Sequence, residues 1–180
     1  RLGTDFTMDD VLVRGTVQLA MLLYLVCLVR WIISPAVTSG QEKALPAQRI
    51  TWTIGCLIFL AHVAAAFHCR HDWSHQLAYQ FTARDTLETV GIKFGAGIYF
   101  SYTFALLWCL DVVWMWIGPA SHRQRPSWSW ILLHGYLLAI AANGAVVFAS
   151  GPTRWIGAPA LLLLAVLLIV RLRRPHGLTA

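Results

Sequence analysis

Five long apolar runs dominate this sequence, and they restrict it to a helical membrane protein. An α-helix needs roughly 20 mostly apolar residues to cross a bilayer, where every backbone polar group must be bonded within the protein. Runs of about this length lie at residues 11–33, 50–68, 92–117, 128–150 and 155–170. The predicted fold is therefore all-α, a bundle of five transmembrane helices in one integral membrane domain over residues 1–180.

The composition excludes other classes of protein. Of the 180 residues, 58% are hydrophobic and 12% are charged, whereas about a quarter of a soluble domain is charged. The net charge of +6 does not indicate nucleic acid, because the basic residues lie at the ends of the apolar runs rather than in one patch. The expected partners are the lipid bilayer and other membrane protein subunits, with no nucleic acid.

Tryptophan and basic residues predict the orientation. If the spans alternate in direction, six of the nine tryptophans and eight of the fourteen Lys and Arg residues fall on one side. Positive charge favours the cytoplasmic side, and indoles favour the headgroup level. We interpret the chain as a multi-pass protein of the inner (cytoplasmic) membrane, with its N-terminus outside and its C-terminus in the cytoplasm. The opening Arg1 suggests that the natural start lies upstream, or closer to Met8.

The connection at residues 69–91 is the most elaborate one. Trp73, Leu77 and Phe81 recur in it at helical spacing among polar neighbours, which predicts an amphipathic helix on the outer face of the membrane, between the second and third spans. Thr82 to Asp85 has a capping-box pattern, so a turn of helix should begin there and end at Gly91. A similar pattern at Thr7 precedes the first span.

Four polar residues lie at one predicted depth inside different spans. At a rise of 1.5 Å per residue they would be roughly 10 Å below the outer surface. Neutral His62 in such a layer suits ligation of a haem, a chlorophyll-type pigment or a metal, with Tyr99 or Asn143 fixing its tautomer. The alternative is a hydrogen-bonded buried imidazole, since no second histidine shares this depth to complete an axial pair. The predicted cofactor-binding residues are Gln18, His62, Tyr99 and Asn143.

Three histidines and one aspartate are grouped where the second span meets the outer surface. On a continuous helix His68, His71, Asp72 and His75 would fall within an arc of roughly 100°. Imidazole and carboxylate suit a divalent metal such as zinc or copper. His68 and His75 would be roughly 10 Å apart on a straight helix, so a full site needs a break near Arg70 or a ligand from elsewhere. The alternative interpretation is that these four side chains are hydrated at the membrane interface and bind no metal.

A second polar pair is predicted near the other membrane face. Asp111 lies about six residues before Gly118, and His134 lies about as far inside the next span, so the two should meet at equal depth. A carboxylate that holds an imidazole occurs in metal sites, proton relays and catalytic bases. It also occurs as an internal bond that fixes helix register, and Arg30 could compete for the same carboxylate.

Three functions from different classes follow from these residues. The first is a small integral membrane subunit of a larger redox or energy-converting complex, with a haem, pigment or metal near the periplasmic face. The second is a channel or transporter with a polar path through the bundle, and the third is a cofactor-free scaffold or assembly subunit. The sequence holds no G-x-S-x-G, H-E-x-x-H, P-loop, dinucleotide or C-x-x-C-H motif, so no catalytic residue is assigned.

Overall fold

The computed structural model describes residues 8–33 and 44–144 of the chain, and this part is helical. Thr7, the end of the fourth predicted span at residues 145–150 and the fifth predicted span at residues 155–170 lie outside the described residues. Within the described ranges the helices are α1 (Met8–Ile33), α2 (Ala44–Arg70), α3 (His75–Val90), α4 (Gly97–Ile117), α5 (Pro119–Arg123) and α6 (Ser127–Ala142).

Three of these helices are long and apolar enough to cross a membrane. They are α1 over Met8–Ile32, α2 over Pro46–Arg70 and α4 over Gly97–Ile117, and the described part of α6 adds a shorter apolar stretch over Trp128–Ala142. The all-α prediction is confirmed for the described residues, and the chain has the features of a multi-pass membrane protein. The bundle of five spans stays a prediction.

Aromatic side chains form the core where the long helices meet. Tyr24 from α1, Leu137 from α6 and two residues of α4, Phe104 and Trp108, are almost completely buried. The Trp108 ring packs 5.7 Å from Tyr24 and 5.6 Å from Phe104, measured between ring centroids. Trp108 can approach α2 because that helix presents Gly55, where an added Cβ would lie 3.0 Å from the indole. This aromatic layer occupies the middle of the bundle.

The start of α3 differs from the prediction. Its N-cap is Ser74, whose extended backbone and hydroxyl fit the cap position, and the hydroxyl accepts from the Leu77 amide at 3.3 Å. Thr82 therefore lies inside the helix, where its hydroxyl donates to the Ala78 carbonyl at 2.9 Å. The predicted end is confirmed, because Gly91 adopts a left-handed conformation with φ 78° and closes the helix.

The third span also begins later than predicted. Residues 91–96 form a connection, and α4 starts at Gly97 rather than at residue 92. This connection packs back on α3, since the Thr86 hydroxyl donates to the Phe94 carbonyl at 3.0 Å and Gly95 is buried beneath the Tyr79 ring. These tertiary contacts outweigh the apolar pattern that extended the span to residue 92.

The connection after α4 reverses the chain within a few residues. Part of it forms the short helix α5, which begins with Pro119. Pro is well suited to the first turn of a helix because its missing N–H would have no partner there. The Trp114 indole donates to the Ser121 hydroxyl at 2.9 Å and holds α5 against the end of α4. The reversal brings residues after Gly118 back to the buried face of α4.

Candidate functional site

Asp111 lies at the centre of a buried ionic cluster between α2, α4 and the α5 connection. One carboxylate oxygen accepts from the Trp52 indole at 3.0 Å. The other accepts from Arg125 at 2.5 Å and from the His122 Nε2–H at 3.1 Å. The Asp111 side chain is 5% exposed and the Arg125 side chain 10%. We call Trp52, Asp111, His122 and Arg125 the Asp111 centre.

The helix pattern of α4 explains why a charged residue is buried here. The buried residues of this helix are Phe104, Trp108, Asp111 and Met115, which recur three or four positions apart and so share one face. Asp111 therefore occupies a core position, where an unpaired carboxylate would be very costly. The three donors make burial of this carboxylate tolerable, and two of them come from the connection that folds back after α4.

His134 lies beside the Asp111 centre rather than within its hydrogen bonds. Both residues line a cavity of about 60 Å³, together with Gln48 of α2. The His134 ring packs against Trp130 and Trp52, with ring centroids 4.2 Å and 5.4 Å away. Its buried Nδ1 has no hydrogen-bond partner among the residues that the structure describes. The predicted pair thus shares a cavity, while Asp111 is hydrogen-bonded to Trp52, His122 and Arg125.

Sequence reasoning missed His122 and Arg125 as partners of Asp111 and considered Arg30 as the competing cation. The cation that the structure places on the carboxylate is Arg125, 14 residues farther along the chain. The available signal was the Gly118-Pro119 pair, because a reversal at this point brings a basic segment back toward α4.

His62 of α2 contacts the first helix. Its Nδ1 lies 2.9 Å from the Val13 carbonyl, and since a carbonyl only accepts, Nδ1–H is the donor. The neutral ring then carries its unprotonated lone pair on Nε2. The Thr16 hydroxyl also lies 3.5 Å from Nδ1. Sequence reasoning assigned the tautomer-fixing role to Tyr99 or Asn143, whereas the structure gives it to the backbone of α1.

The other members of the predicted polar layer have different surroundings. Gln18 and Asn143 are exposed, and Asn143 caps the end of α6. Tyr99 is 52% exposed, and its hydroxyl lies 3.4 Å from Nε2 of His75. Nδ1 of His75 lies 2.9 Å from the hydroxyl of Tyr102. A predicted cofactor residue and a predicted metal ligand therefore meet each other, with both nitrogens of the imidazole occupied by tyrosines.

The chain between α2 and α3 separates the predicted metal ligands. Asp72 and Trp73 adopt left-handed backbones, with φ 45° and 56°, so the helix does not continue past Arg70. His71 turns inward and packs between the rings of Phe67 and Phe81.

His68, Asp72 and His75 are exposed, unlike His71. Across residues 8–33 and 44–144, no group of three His, Cys, Asp or Glu side chains is placed to hold a metal ion. The break near Arg70 was one of the two ways in which a full site could form, and it directs His71 and His75 to aromatic partners instead of to one ion.

Burial sets the protonation of His71. Its side chain is 7% exposed, and Nδ1 has no hydrogen-bond partner in the described part of the chain. Removal from water disfavours the imidazolium, so the pKa of His71 is lowered. The ring is a neutral packing element at the junction of α2 and α3.

An ion pair ties the start of α1 to the end of α2. The Arg70 guanidinium donates to the Asp10 carboxylate at 2.7 Å, and both side chains are about one-third exposed. An exposed pair of this kind contributes little to stability. Its value is geometric, because it marks the Met8 end of α1 and the Arg70 end of α2 as one end of the bundle, opposite the Asp111 centre.

Comparison with models of known protein families, with curated proteins and with solved structures gave no match.

Proposed function

We propose that this chain is a small integral membrane subunit of a larger redox or energy-converting membrane complex. In this proposal it lies in the inner membrane with its N-terminus outside, so that the end with Asp10 and Arg70 faces the periplasm. The helix α3 then lies on the outer face, in keeping with the exposed Leu77 on this helix and the exposed Trp73 just before it. Five spans would account for most of these 180 residues, a layout that fits a membrane-embedded subunit.

The observation that carries the proposal is the bond between His62 and α1. A donor bond from Nδ1 to a backbone carbonyl is the arrangement that orients histidine ligands, because it fixes the ring and leaves Nε2 free to coordinate. His62 lies within α2, about eight residues before Arg70 and hence near the proposed outer surface. We therefore propose His62 as the protein ligand of a haem, a chlorophyll-type pigment or a divalent metal.

An absorption spectrum with metal analysis tests this proposal. The protein should be purified from its native membrane in a mild detergent, as wild type, His62→Ala and His68→Ala. His68 is the matched control, because it lies on the same helix but is exposed. The proposal predicts a visible absorption band or a stoichiometric metal that is lost in His62→Ala and kept in His68→Ala. A colourless, metal-free wild-type protein would contradict it.

A cofactor-free scaffold is the second candidate, and the Asp111 centre favours it. Each carboxylate oxygen is satisfied by side chains of the same chain, as expected for an internal bond that fixes helix register. This function predicts that Asp111→Asn lowers the amount of assembled complex while activity per assembled complex stays unchanged. A normal amount of complex with reduced specific activity would instead assign Asp111 a direct role in the chemistry.

A channel or transporter has weaker support. The His62 contact and the Asp111 centre are separated along α2 by the ten residues from Trp52 to His62, roughly 15 Å of helix. The aromatic layer, to which Phe59 of α2 also belongs through its contacts with Phe104 and Trp108, lies between them and is buried. A polar path through the described helices would have to cross this layer. Flux into proteoliposomes that is abolished by Asp111→Asn would support a transport function despite it.

A further inference from the structure

Two cysteines from different helices contact each other in the bundle. Sγ of Cys56 on α2 lies 3.7 Å from Sγ of Cys109 on α4, and neither is in a disulfide. The contact lies where the two helices approach closely, since Gly55 and Trp108, the residues just before each cysteine, also pack together. The close approach at this crossing holds the two sulfurs together.

We propose that Cys56 and Cys109 are a dithiol that forms an intramolecular disulfide between α2 and α4, with a lipid-soluble quinone as the oxidant. A disulfide has an S–S length of about 2.05 Å, so the sulfurs must approach by roughly 1.7 Å. The two S–H bonds break and one S–S bond forms. Two electrons and two protons pass to the quinone, which becomes the quinol.

The location of the pair favours a quinone over a water-soluble oxidant. Cys56 is 4% exposed, and Cys109 is partly buried in the middle of a helix that is apolar enough to span a membrane. Charged peptide thiols and disulfides do not enter the hydrocarbon core. Quinones dissolve there and accept two electrons together with two protons, so the reaction leaves no charge in the bilayer. The inference does not depend on the proposed cofactor at His62.

The other two cysteines provide internal controls. Cys27 on α1 is buried with its sulfur 4.0 Å from the Gln48 carbonyl. Cys69, near the end of α2, is only partly buried. A nonspecific oxidation would involve whichever thiol is most accessible, whereas the proposed reaction involves one defined pair. The variant Cys27→Ala/Cys69→Ala keeps that pair, and Cys56→Ala removes it.

Thiol counting with peptide mapping tests the proposal. Reduced protein in lipid nanodiscs is exposed to duroquinone, whose fully substituted ring accepts electrons but does not add thiols. Free thiols are then counted with a maleimide after denaturation in SDS. We expect two of the four thiols to be lost, with a linked peptide joining Cys56 to Cys109 and one quinol formed per link. The Cys27→Ala/Cys69→Ala variant should lose both of its thiols, and Cys56→Ala should lose none.

Three outcomes would overturn the proposal. Retention of all four thiols after treatment with both duroquinone and copper phenanthroline would show that the pair does not close. Links that involve Cys27 or Cys69, or that join two chains, would show that the contact does not direct the reaction. A Cys56 to Cys109 link formed with copper phenanthroline but not with duroquinone would overturn the quinone as oxidant.

Discussion

Replacing Arg125 by glutamine leaves the Asp111 carboxylate buried without the cation that lies on it. The side chains are 10% and 5% exposed, so water has little access to replace the lost bond. Removing one partner of a buried ion pair typically costs about 3–5 kcal/mol. Trp52 and His122 still donate to the carboxylate, so we expect a loss of about 3 kcal/mol in the free energy of unfolding. Asp111→Asn should cost a similar amount, because it leaves the guanidinium buried without its anion.

The double variant Asp111→Asn/Arg125→Gln separates pairing from two independent defects. In the double variant neutral side chains face each other. Its loss in the free energy of unfolding should therefore be smaller, by about 2 kcal/mol, than the sum of the losses in the two single variants, which is within the range of couplings measured for residues in contact. The assay is reversible unfolding in mixed micelles with increasing SDS, followed by far-ultraviolet circular dichroism. Arg123→Gln is the matched control, because Arg123 is exposed on α5, and its effect should stay within about 0.5 kcal/mol.

Additive losses in the double variant would refute the ion pair as the bond that holds the α5 connection against α4. A loss with Arg123→Gln as large as that with Arg125→Gln would also refute it, because net charge rather than a defined contact would then account for the effect.

Two other predictions concern packing and pH. Gly55→Ala should lower the free energy of unfolding by about 1–3 kcal/mol, because the new methyl group would press on the completely buried Trp108 indole. Gly135→Ala is the control in the same SDS titration. It should be neutral or stabilising, because the space around its new Cβ is open. His71 has a lowered pKa in the folded state, so the unfolded chain binds more protons below the ordinary histidine pKa of about 6.5, and stability should fall as the pH drops below that value. His71→Phe should flatten the profile of unfolding midpoint against pH and the exposed-site control His68→Asn should leave it unchanged, while an unaltered slope in His71→Phe would contradict this assignment.

The helices could be predicted from the sequence because bilayer thickness imposes their length. Apolar runs located the three long helices, and most of the helix ends lie within a few residues of their predicted positions. Gly91 was predicted as a helix end because glycine alone adopts a left-handed backbone without cost. The predicted start of α3 at Thr82 was wrong, because the helix begins after Ser74. Ser74 acts as the cap since the chain is already extended there, after the break at Asp72 and Trp73.

The partners of Asp111 could not be predicted from periodicity. They depend on the chain reversal at Gly118 and Pro119, which is set by tertiary contacts such as that of Trp114 with Ser121. Asp111 and His134, which were predicted to lie at equal depth on neighbouring helices, line one cavity. Depth carries no information on which way each side chain points, so it did not identify the donors to the carboxylate.

The metal prediction shows the limit of helical-wheel reasoning. His68, His71, Asp72 and His75 share one face only if a single helix continues through all of them. The left-handed backbone at Asp72 ends that periodicity. His71 is then buried among aromatic rings, and His75 is carried on the next helix toward Tyr102.

The central claim is that polar side chains of α2 and α4 are hydrogen-bonded to each other inside the bundle, and the Trp52 indole tests it most directly. In protein labelled with ¹⁵N-tryptophan and held in nanodiscs, the Trp52 side-chain N–H resonance should exchange slowly with deuterium and should shift on Asp111→Asn, because this N–H donates to the carboxylate. A Trp52 resonance that exchanges rapidly and does not move in the variant would contradict the account.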